Sequence, residues 1–384
     1  MILLPGLQAQ CSVRYGNPHS LTDELSGDGN VGTLFFRRHR IFDRILDQGL
    51  EQQRGQQRAL HVVGDVEPGA QAILEAMVEG AMVDYDTATR IESRKLAKIM
   101  VGQNAKNMIT AFFFNLNAIK SGQSRPKDVP RYKPAKVGLL GAGMMGAGIA
   151  YAQASRGVAT VLKDVSVEAA EKGKSYSEGL VAKAVKRGKM FQSQADSLLG
   201  LITPTAKDED LQGCDLIIEA VFENIELKNK IIGNTEKYLS DDGFWGSNTS
   251  TLPITELAKA ASKPANFVGI HFFSPVDKMP LIEIIVGDKT SDEALAKAFD
   301  FTQQIRKTPI VVNDSLGFFT SRTFGTYLDE GLQLLTEGVH PVKIDNMGKA
   351  IGMPVGPLQV GDETSLELAR KAGETWAAMG VEDK

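Results

Sequence analysis

Cysteine is scarce in this chain, which contains only Cys11 and Cys214 among 384 residues. Two cysteines cannot supply the disulfide framework of a small secreted protein, and such sparse use is typical of a reducing compartment. Cys214 comes directly before an apolar stretch, so we predict a small buried core residue there rather than a nucleophile. Disulfide bonds therefore have no part in the expected fold.

Long apolar runs and a strong charge of either sign are also missing. The longest apolar candidate, near Ile109–Leu116, is interrupted by Thr110 and Asn115 and is too short to span a bilayer. The first residues, MILLPGLQAQ, lack the basic start and the long apolar stretch of a secretory signal. The formal net charge of −4 gives no electrostatic reason to expect nucleic acid as a partner. We therefore predict a cytoplasmic protein without a membrane span.

The part of the chain before the first predicted strand changes character twice. Its beginning is polar, and from Pro68 to Lys120 apolar residues recur at three- and four-residue steps, which predicts helices. Asp86 is the predicted N-cap of the second helix. Pro126, Pro130 and Pro134 then follow at a four-residue spacing that neither a helix nor a central strand accommodates. This basic stretch is predicted to be an extended linker at a domain boundary.

After the linker, predicted strands alternate with helices. The strands are Val137–Leu140, Ala159–Leu162, Asp215–Val221, Phe244–Ser247, Phe267–Phe273, Leu281–Val286 and Ile310–Val312. Such alternation predicts a parallel, doubly wound α/β sheet of the Rossmann type. Strand signals stop at Gly317, and a long helix is expected from Phe318 to Leu335. The predicted domains are a helical region over 1–130, the Rossmann domain over 131–314 and a truncated all-α domain over 315–384.

A glycine motif, Gly141, Gly143 and Gly146, follows the first of these strands and opens a helix. Alone, the motif fits an ordinary strand-to-helix turn as well as a dinucleotide site. Asp164 at the end of the next strand favours the dinucleotide, because a carboxylate there binds the ribose hydroxyls and repels a 2′-phosphate. NAD is therefore predicted over NADP, although Lys163 beside Asp164 weakens the argument slightly.

Histidine is also rare, with five residues in all. His19, His39, His61 and His340 lie in polar or turn-like surroundings and are predicted to be solvated. His271 is different, because it falls near the end of an apolar strand, where a satisfied core histidine is the commoner explanation.

Glu283 lies in the apolar stretch PLIEIIV. An unpaired glutamate is costly in such a strand, so we expect it to have a buried partner.

Five segments together resemble the 3-hydroxyacyl-CoA dehydrogenases, and most closely the dehydrogenase part of the multifunctional fatty-acid oxidation proteins of the alpha-subunit type. The segments are GAGMMGAGIAY, IIEAVFEN, SNTSTLPI, HFFSPVDKMPLIEII and GFFTSR. The resemblance covers about residues 68–367. It implies NAD-dependent oxidation of L-3-hydroxyacyl-CoA to 3-ketoacyl-CoA in fatty-acid β-oxidation. His271 would be the general base, oriented by Glu283.

The resemblance also implies the other site residues. Ser250 would lie between the nicotinamide and the substrate's 3-oxygen and contact both. Ser274 and Ser321 stand where monofunctional members carry asparagine, and would be nicotinamide-side and substrate-side contacts respectively. The further cofactor contacts that it implies are Met145, Val221, Phe222, Glu223 and Lys228.

A basic helical segment that includes Lys183 and Lys186 would face the phosphates of coenzyme A, although a solvated helix face fits the pattern equally well. Acyl-CoA is the implied partner, no metal is expected, and a homodimer or a thiolase partner is left open.

The region before the linker resembles the end of a crotonase-type module and its connecting helix. It lacks glycine-rich oxyanion loops, so hydratase activity is not expected. Because both ends are short against this family, an alternative is a truncated remnant that binds NAD without turnover. A dehydrogenase of the β-hydroxyacid type is disfavoured, because that type normally uses a lysine base.

Overall fold

The computed structural model describes residues 68–364, and every structural statement below concerns these residues. The predictions for His19, His39, His61 and Cys11 lie outside the described residues. Cys214 is buried as expected, and burial raises the pKa of its thiol to about 11, which leaves it an unreactive core group.

Helices fill residues 68–120, apart from the short connections between them, as predicted. They are α1 Pro68–Gly80, α2 Tyr85–Met100, α3 Gln103–Ile109, a continuous π-helical stretch Thr110–Asn115, and α4 Leu116–Lys120. The choice of Asp86 as the N-cap of α2 was wrong. Asp84 has the extended backbone that a cap requires, and its carboxylate accepts a 3.0 Å hydrogen bond from the amide of Thr87, whereas Asp86 lies in the first helical turn.

The linker over residues 121–135 forms neither helix nor strand, and one buried ion pair fixes it to the sheet domain. The Arg125 guanidinium donates to both carboxylate oxygens of Asp300, at 2.7 and 2.8 Å, and to three carbonyls of the linker itself. Asp300 also accepts from Arg131 at 2.6 Å and from the amide of Tyr132 at 2.9 Å. The linker is therefore held in place, but the extended conformation predicted for it was wrong at residues 121–124 and 127–128, which form turns.

Eight strands form one sheet in the order β3-β2-β1-β4-β5-β6-β7-β8. They are β1 Lys136–Leu140, β2 Ala159–Lys163, β3 Ile202–Thr205, β4 Cys214–Glu219, β5 Leu239–Ser247, β6 Phe267–Phe272, β7 Leu281–Val286 and β8 Thr308–Asn313. The order is doubly wound, with the crossover point between β1 and β4, and the predicted fold class is confirmed.

Two features of the sheet differ from the prediction. The sequence analysis missed β3, a four-residue edge strand that contains Pro204. The expectation of a fully parallel sheet was wrong at β7, which pairs antiparallel with β6, while β8 is parallel to β7. The short loop between β6 and β7 explains the reversal, because parallel neighbours require a long crossover connection.

Helices cover both faces of the sheet, and a smaller helical group follows it. The helices within the sheet region are α5 Met144–Ala154, α6 Val167–Lys186, α7 Gln192–Gly200, α8 Ile225–Thr235, α9 Ile254–Ala258 and α10 Asp292–Gln304. The helices that follow are α11 Thr320–Thr336, α12 Pro341–Ala350 and α13 Pro357–Thr364. Within residues 68–364, no helix combines the length and apolar character that crossing a bilayer requires.

Alternation along the strands divides the core into two clusters, one on each face. Ile270 of β6 and Ile284 of β7 belong to one cluster. His271 and Glu283 alternate with them and therefore lie on the other face, where Phe318 is buried. Strand periodicity thus determines which face holds the two polar side chains.

The buried pair of Arg125 and Asp300 generates a prediction on stability. Asp300→Asn leaves a buried guanidinium without its counter-charge, so we expect the free energy of unfolding to fall by about 3 to 5 kcal/mol at neutral pH. Denaturant unfolding measures this loss. The exposed pair of Lys259 and Glu256 provides the control, since Lys259→Ala should leave the unfolding midpoint unchanged.

The stability difference between wild type and Asp300→Asn should also depend on pH. Burial opposes ionisation of Asp300, but hydrogen bonds from Arg125, Tyr132 and Arg131 outweigh it and hold its pKa below the ordinary value of 3.8. The stabilisation is therefore complete above that ordinary value and disappears as the pH falls through the lower, folded-state pKa. A difference between the two proteins that stayed constant down to strongly acidic pH would contradict this assignment.

Candidate active site at the carboxyl edge of the sheet

The glycine motif joins β1 to α5, and each of its glycines is required for a different reason. Gly141 has a φ of +94°, and a β-carbon there would lie 2.7 Å from the carbonyl oxygen of Ala220. A β-carbon on Gly146 would lie 1.8 Å from the carbonyl oxygen of Gly141, so the helix could not approach the strand. A β-carbon on Gly143 would meet no atom within 4 Å. The open space at Gly143 lies where a ligand can approach the backbone.

This space has the features of a pyrophosphate site. Gly143 is the N-cap of α5 and provides no side chain to cap the helix amides, which leaves them for an anion at the positive end of the helix dipole. Asp164 follows β2 at the same edge of the sheet. Its carboxylate accepts from the amides of Ala142 at 2.6 Å and Val165 at 2.7 Å, and each oxygen retains a lone pair for a ribose hydroxyl. The residues present therefore fit a dinucleotide.

Lys163, which weakened the prediction of NAD over NADP, is paired with a carboxylate other than Asp164. Its ammonium forms an ion pair with Asp208 at 3.0 Å. The nearest lysine in sequence is therefore neutralised, while the carboxylate of Asp164 remains beside the glycine loop, an arrangement that disfavours a 2′-phosphate.

Two methionines follow Gly143 and differ in exposure. Met145, the predicted cofactor contact, is half-buried and packs against the core. Met144 is 72% exposed, and its Sδ lies 3.8 Å from the hydroxyl oxygen of Ser274. Sequence reasoning therefore overlooked the methionine that connects the glycine loop to the predicted nicotinamide-side serine.

A buried charge cluster occupies the ends of β4 and β5. Lys228 on α8 is 1% exposed, and its ammonium lies 2.8 Å from both carboxylate oxygens of Glu219 and 3.1 Å from Glu223. Ser247, the last residue of β5, also hydrogen-bonds to Glu219. Burial disfavours the charge on Lys228, but the two carboxylates outweigh it and raise the pKa of Lys228 above its ordinary value. Lys228 is therefore a buried, paired charge, and its partner Glu219 was missed in the sequence.

Glu223 connects this cluster to the predicted catalytic serine. One of its carboxylate oxygens accepts from the Thr249 hydroxyl at 2.9 Å, the Ser250 amide at 2.7 Å and the Ser250 hydroxyl at 3.0 Å. Burial opposes ionisation of Glu223, yet the charge on Lys228 and these hydrogen bonds hold its pKa below the ordinary value. The hydroxyl proton of Ser250 therefore points at Glu223 in this structure. Phe222, one residue earlier, is 86% exposed at the predicted cofactor path.

His271 and Glu283 are directly opposite each other in the antiparallel pair β6–β7. Side chains of opposed residues lie on the same face of a sheet, and the imidazole Nδ1 lies 2.7 Å from the carboxylate Oε2. Glu283 is fully buried, and His271 is only 7% exposed. The expected buried partner of Glu283 is therefore His271.

Thr320, which sequence reasoning missed, completes this pair. Its amide donates to Oε1 of Glu283 at 2.8 Å, and its hydroxyl donates to Oε2 at 2.6 Å. Burial opposes ionisation of Glu283, but the hydrogen bonds from His271 and Thr320 outweigh it and keep its pKa below the ordinary value. Since an ionised carboxylate only accepts hydrogen bonds, Nδ1 of His271 must carry the proton. In the neutral form of the imidazole, Nε2 is then the acceptor.

The remaining residues singled out in the sequence lie on three different helices or helix ends. Ser321 is half-buried in the first turn of α11, next to Thr320. Lys183 and Lys186 are exposed in the last turn of α6. His340 is exposed, as predicted, and caps α12.

Comparisons with known proteins identify the family of this chain. Residues 136–315 match the family described as 3-hydroxyacyl-CoA dehydrogenase, NAD binding domain, and residues 317–384 match the 3-hydroxyacyl-CoA dehydrogenase C-terminal domain. The (S)-3-hydroxybutyryl-CoA dehydrogenase of Ralstonia eutropha has a similar structure, with a TM-score of 0.62 and 34% identity, covering 65% of this chain and 89% of that chain. The region matched to the NAD-binding domain contains all eight strands of the sheet.

Similar curated proteins are considerably longer. The chain is 36% identical over 310 residues to a fatty acid oxidation complex subunit alpha of Acinetobacter baumannii, which covers 81% of this chain and 43% of the relative. The corresponding protein of Shewanella amazonensis is 32% identical over 362 residues, which covers 90% of this chain and 49% of the relative. The chain therefore spans less than half of the length of these curated relatives.

The glycine loop generates a prediction in which two glycine-to-alanine variants are compared. Gly143→Ala introduces a methyl group into open space, so the protein should fold normally but bind NAD at least tenfold more weakly, an order-of-magnitude expectation from the close backbone approach that the pyrophosphate requires. Gly146→Ala should instead lower the melting temperature, because its methyl group meets the Gly141 carbonyl. Calorimetric titration with NAD and thermal unfolding measure the two effects. Tight NAD binding by Gly143→Ala would refute the pyrophosphate assignment.

The buried cluster generates a second prediction. Lys228→Met leaves Glu219 fully buried without its counter-charge, and we expect a loss of about 3 to 5 kcal/mol in the free energy of unfolding. Lys230→Met on the exposed side of α8 is the matched control and should unfold at the wild-type denaturant concentration. Equal midpoints for the two variants would show that the charge of Lys228 does not stabilise the fold.

Proposed function

Because the chain belongs to the 3-hydroxyacyl-CoA dehydrogenase family, whose NAD-binding domain it contains, we propose that it oxidises L-3-hydroxyacyl-CoA to 3-ketoacyl-CoA with NAD+ in fatty-acid β-oxidation. One observation carries this proposal. The hydrogen-bonded pair of His271 and Glu283 lies near the carboxyl end of β6, at the edge of the sheet that also bears the glycine loop and Asp164. Ligands of doubly wound sheets bind at this edge.

In this proposal His271 is the general base. Glu283 fixes the tautomer with the proton on Nδ1, so Nε2 accepts the proton of the substrate's 3-hydroxyl as the C–H bond breaks. An imidazole has an ordinary pKa of about 6.5, which suits proton transfer near neutral pH. Glu283 then stabilises the imidazolium that forms, and in the reverse direction His271 returns the proton. When bound, NAD+ supplies the acceptor for the hydride.

The proposed role of Ser250 is to hold the 3-oxygen of the substrate. Glu223 already fixes the Ser250 backbone through its amide, so the serine loop has a defined position before substrate binds. To donate to the substrate, the hydroxyl would rotate away from Glu223, which keeps its hydrogen bonds to Thr249 and to the amide of Ser250. Lys228 keeps Glu223 ionised and therefore supports this arrangement.

The other proposed contacts follow from position. The exposed Phe222 and its neighbour Val221 would line the path of the cofactor, and Ser274 would face the nicotinamide beside Met144. Ser321 would contact the substrate from the first turn of α11. The exposed Lys183 and Lys186 would meet the phosphates of coenzyme A. The contacts of Met145 and Glu223 with the cofactor are proposed on the same basis, whereas the buried Lys228 would act on the cofactor only through Glu223.

We also propose that the chain divides into a helical region over residues 1–130, a Rossmann domain over 131–314 and a helical domain from 315 onward. The two family matches support the second boundary, since one ends at residue 315 and the next begins at residue 317. A cytoplasmic location is a proposal that rests on the sparse use of cysteine, and a homodimer or a thiolase partner is a proposal that rests on the family alone.

A protein that binds NAD without turnover is the second candidate function. In this candidate the glycine loop and Asp164 bind NAD, and the pair of His271 and Glu283 performs no turnover. One assay with acetoacetyl-CoA and NADH separates the two candidates. NADH oxidation with acetoacetyl-CoA supports the dehydrogenase, whereas calorimetric NAD binding with no turnover at high protein concentration supports the second candidate.

Replacement of the proposed base tests the mechanism. His271→Ala should lower kcat by roughly 10²- to 10⁴-fold, because the hydroxyl proton loses its acceptor, while NAD binding is retained. Steady-state NADH formation and calorimetry measure the two properties. His340→Ala, which changes an exposed imidazole on α12, is the control and should keep full activity. Wild-type turnover in His271→Ala would refute the assignment of the base.

A further inference from the structure

We propose that Thr320 is a positioning residue that sets the proton affinity of His271 through Glu283. The inference rests on the proposed function only insofar as His271 acts as the base. Thr320 donates two hydrogen bonds to Glu283, one to each carboxylate oxygen. The oxygen that receives its hydroxyl, Oε2, is also the oxygen that contacts Nδ1 of His271. The hydroxyl of Thr320 and the Nδ1–H group of His271 therefore share the negative charge of one oxygen atom, Oε2.

The backbone before α11 brings Thr320 to this position. Gly317 and Phe318 both have left-handed conformations, with φ values of +70° and +50°. A positive φ is strained for a bulky residue such as phenylalanine, and packing must hold it. The Phe318 side chain is 1% exposed, and its ring centre lies 6.1 Å from that of His271. Burial of Phe318 beside the imidazole therefore holds Thr320 against the carboxylate.

The start of α11 adds to this effect. Thr320 is the first residue of a helix of 17 residues, so the carboxylate of Glu283 lies at the positive end of the helix dipole. The amide of Thr320 anchors Oε1 in any variant at this position, since every residue except proline has that N–H group. The hydroxyl bond to Oε2 can therefore be removed alone.

Charged groups on the neighbouring elements do not contact the pair in the part of the chain that the structure describes. Those that are bonded elsewhere are Glu256 to Lys259, Asp277 to Tyr176, Lys297 to Glu293, Asp300 to Arg125, Asp314 to the amides of Ile254 and Thr255, and Lys307 to the carbonyls of Val276 and Met279. Asp288, Asp292 and Arg322 are exposed. The hydroxyl of Thr320 is thus a neutral donor whose removal leaves these charges unchanged.

The direction of the effect follows from the shared oxygen. A hydroxyl that donates to Oε2 withdraws part of its negative charge from the Nδ1 proton of His271. Without it, more charge faces His271 and the imidazolium is stabilised, so the pKa of His271 rises. Less neutral base is then present at a slightly acidic pH, and kcat/KM falls there while it approaches the wild-type value at alkaline pH.

The experiment compares Thr320→Val, which keeps the shape and loses the hydroxyl, with Thr320→Ser, which keeps the hydroxyl. Imidazole NMR titration of the full chain gives the pKa of His271, whose signal is identified by its loss in His271→Gln. We expect the pKa to rise by about 0.5 in Thr320→Val and kcat/KM to fall about threefold on the acidic side, with no change in Thr320→Ser. Thr323→Val, which removes an exposed hydroxyl from the same helix, should match wild type.

Two results would overturn the inference. One is a folded Thr320→Val protein in which His271 titrates as in wild type, and the other is a Thr320→Ser protein that titrates like Thr320→Val. If Thr320→Val does not fold, Thr320→Ala is measured against Thr320→Ser with the same two readouts. Because the NMR titration needs no turnover, an inactive wild-type chain would refute the proposed function but would leave the test of Thr320 valid.

Discussion

The hydrogen bond between His271 and Glu283 depends on the reversed direction of a single strand. In the antiparallel pair β6–β7 the two residues are direct partners in register, and both side chains lie on the same face. A slip of one residue would move Glu283 to the other face, into the apolar cluster that contains Ile284. A buried glutamate without a partner is costly, so the folded state itself requires this register.

The same separation of polar and apolar groups applies to the rest of the site. Most of the sheet lies between two apolar clusters, so its polar side chains collect where the strands end. Parallel strands bring the ends of β1, β2, β4 and β5 to one edge, and with them the glycine loop, Asp164, Glu219 and Ser247. The long-range order of the strands therefore gathers the dinucleotide site and the charged cluster from distant parts of the chain.

Much of this arrangement could be predicted from local sequence. Seven of the eight strands have apolar patterns that indicated them, but β3 is short and contains proline, so its pattern was too weak. The direction of β7 could not be predicted, because an apolar run does not encode whether a strand is parallel or antiparallel.

Among the missed site residues, Glu219 and Thr320 differ in this respect. Glu219 lies in the apolar run IIEAV, and the argument that gave Glu283 a buried partner applies to it equally. Consistent use of that argument would have found it. Thr320 left no such signal, because its contact depends on two left-handed residues and on the return of α11 to the sheet.

Asp164 has a second consequence, for how this protein could change its cofactor. The carboxylate proposed to bind the ribose also accepts a hydrogen bond from the amide of Ala142, so it helps to shape the glycine turn proposed for the pyrophosphate. Acceptance of a 2′-phosphate would require both the loss of this carboxylate and the release of Lys163 from Asp208. A single substitution at Asp164 would remove the carboxylate that holds the turn, and it would leave the ammonium of Lys163 paired with Asp208. Evolution from one dinucleotide to the other is therefore opposed by the structure of the loop as well as by electrostatic repulsion.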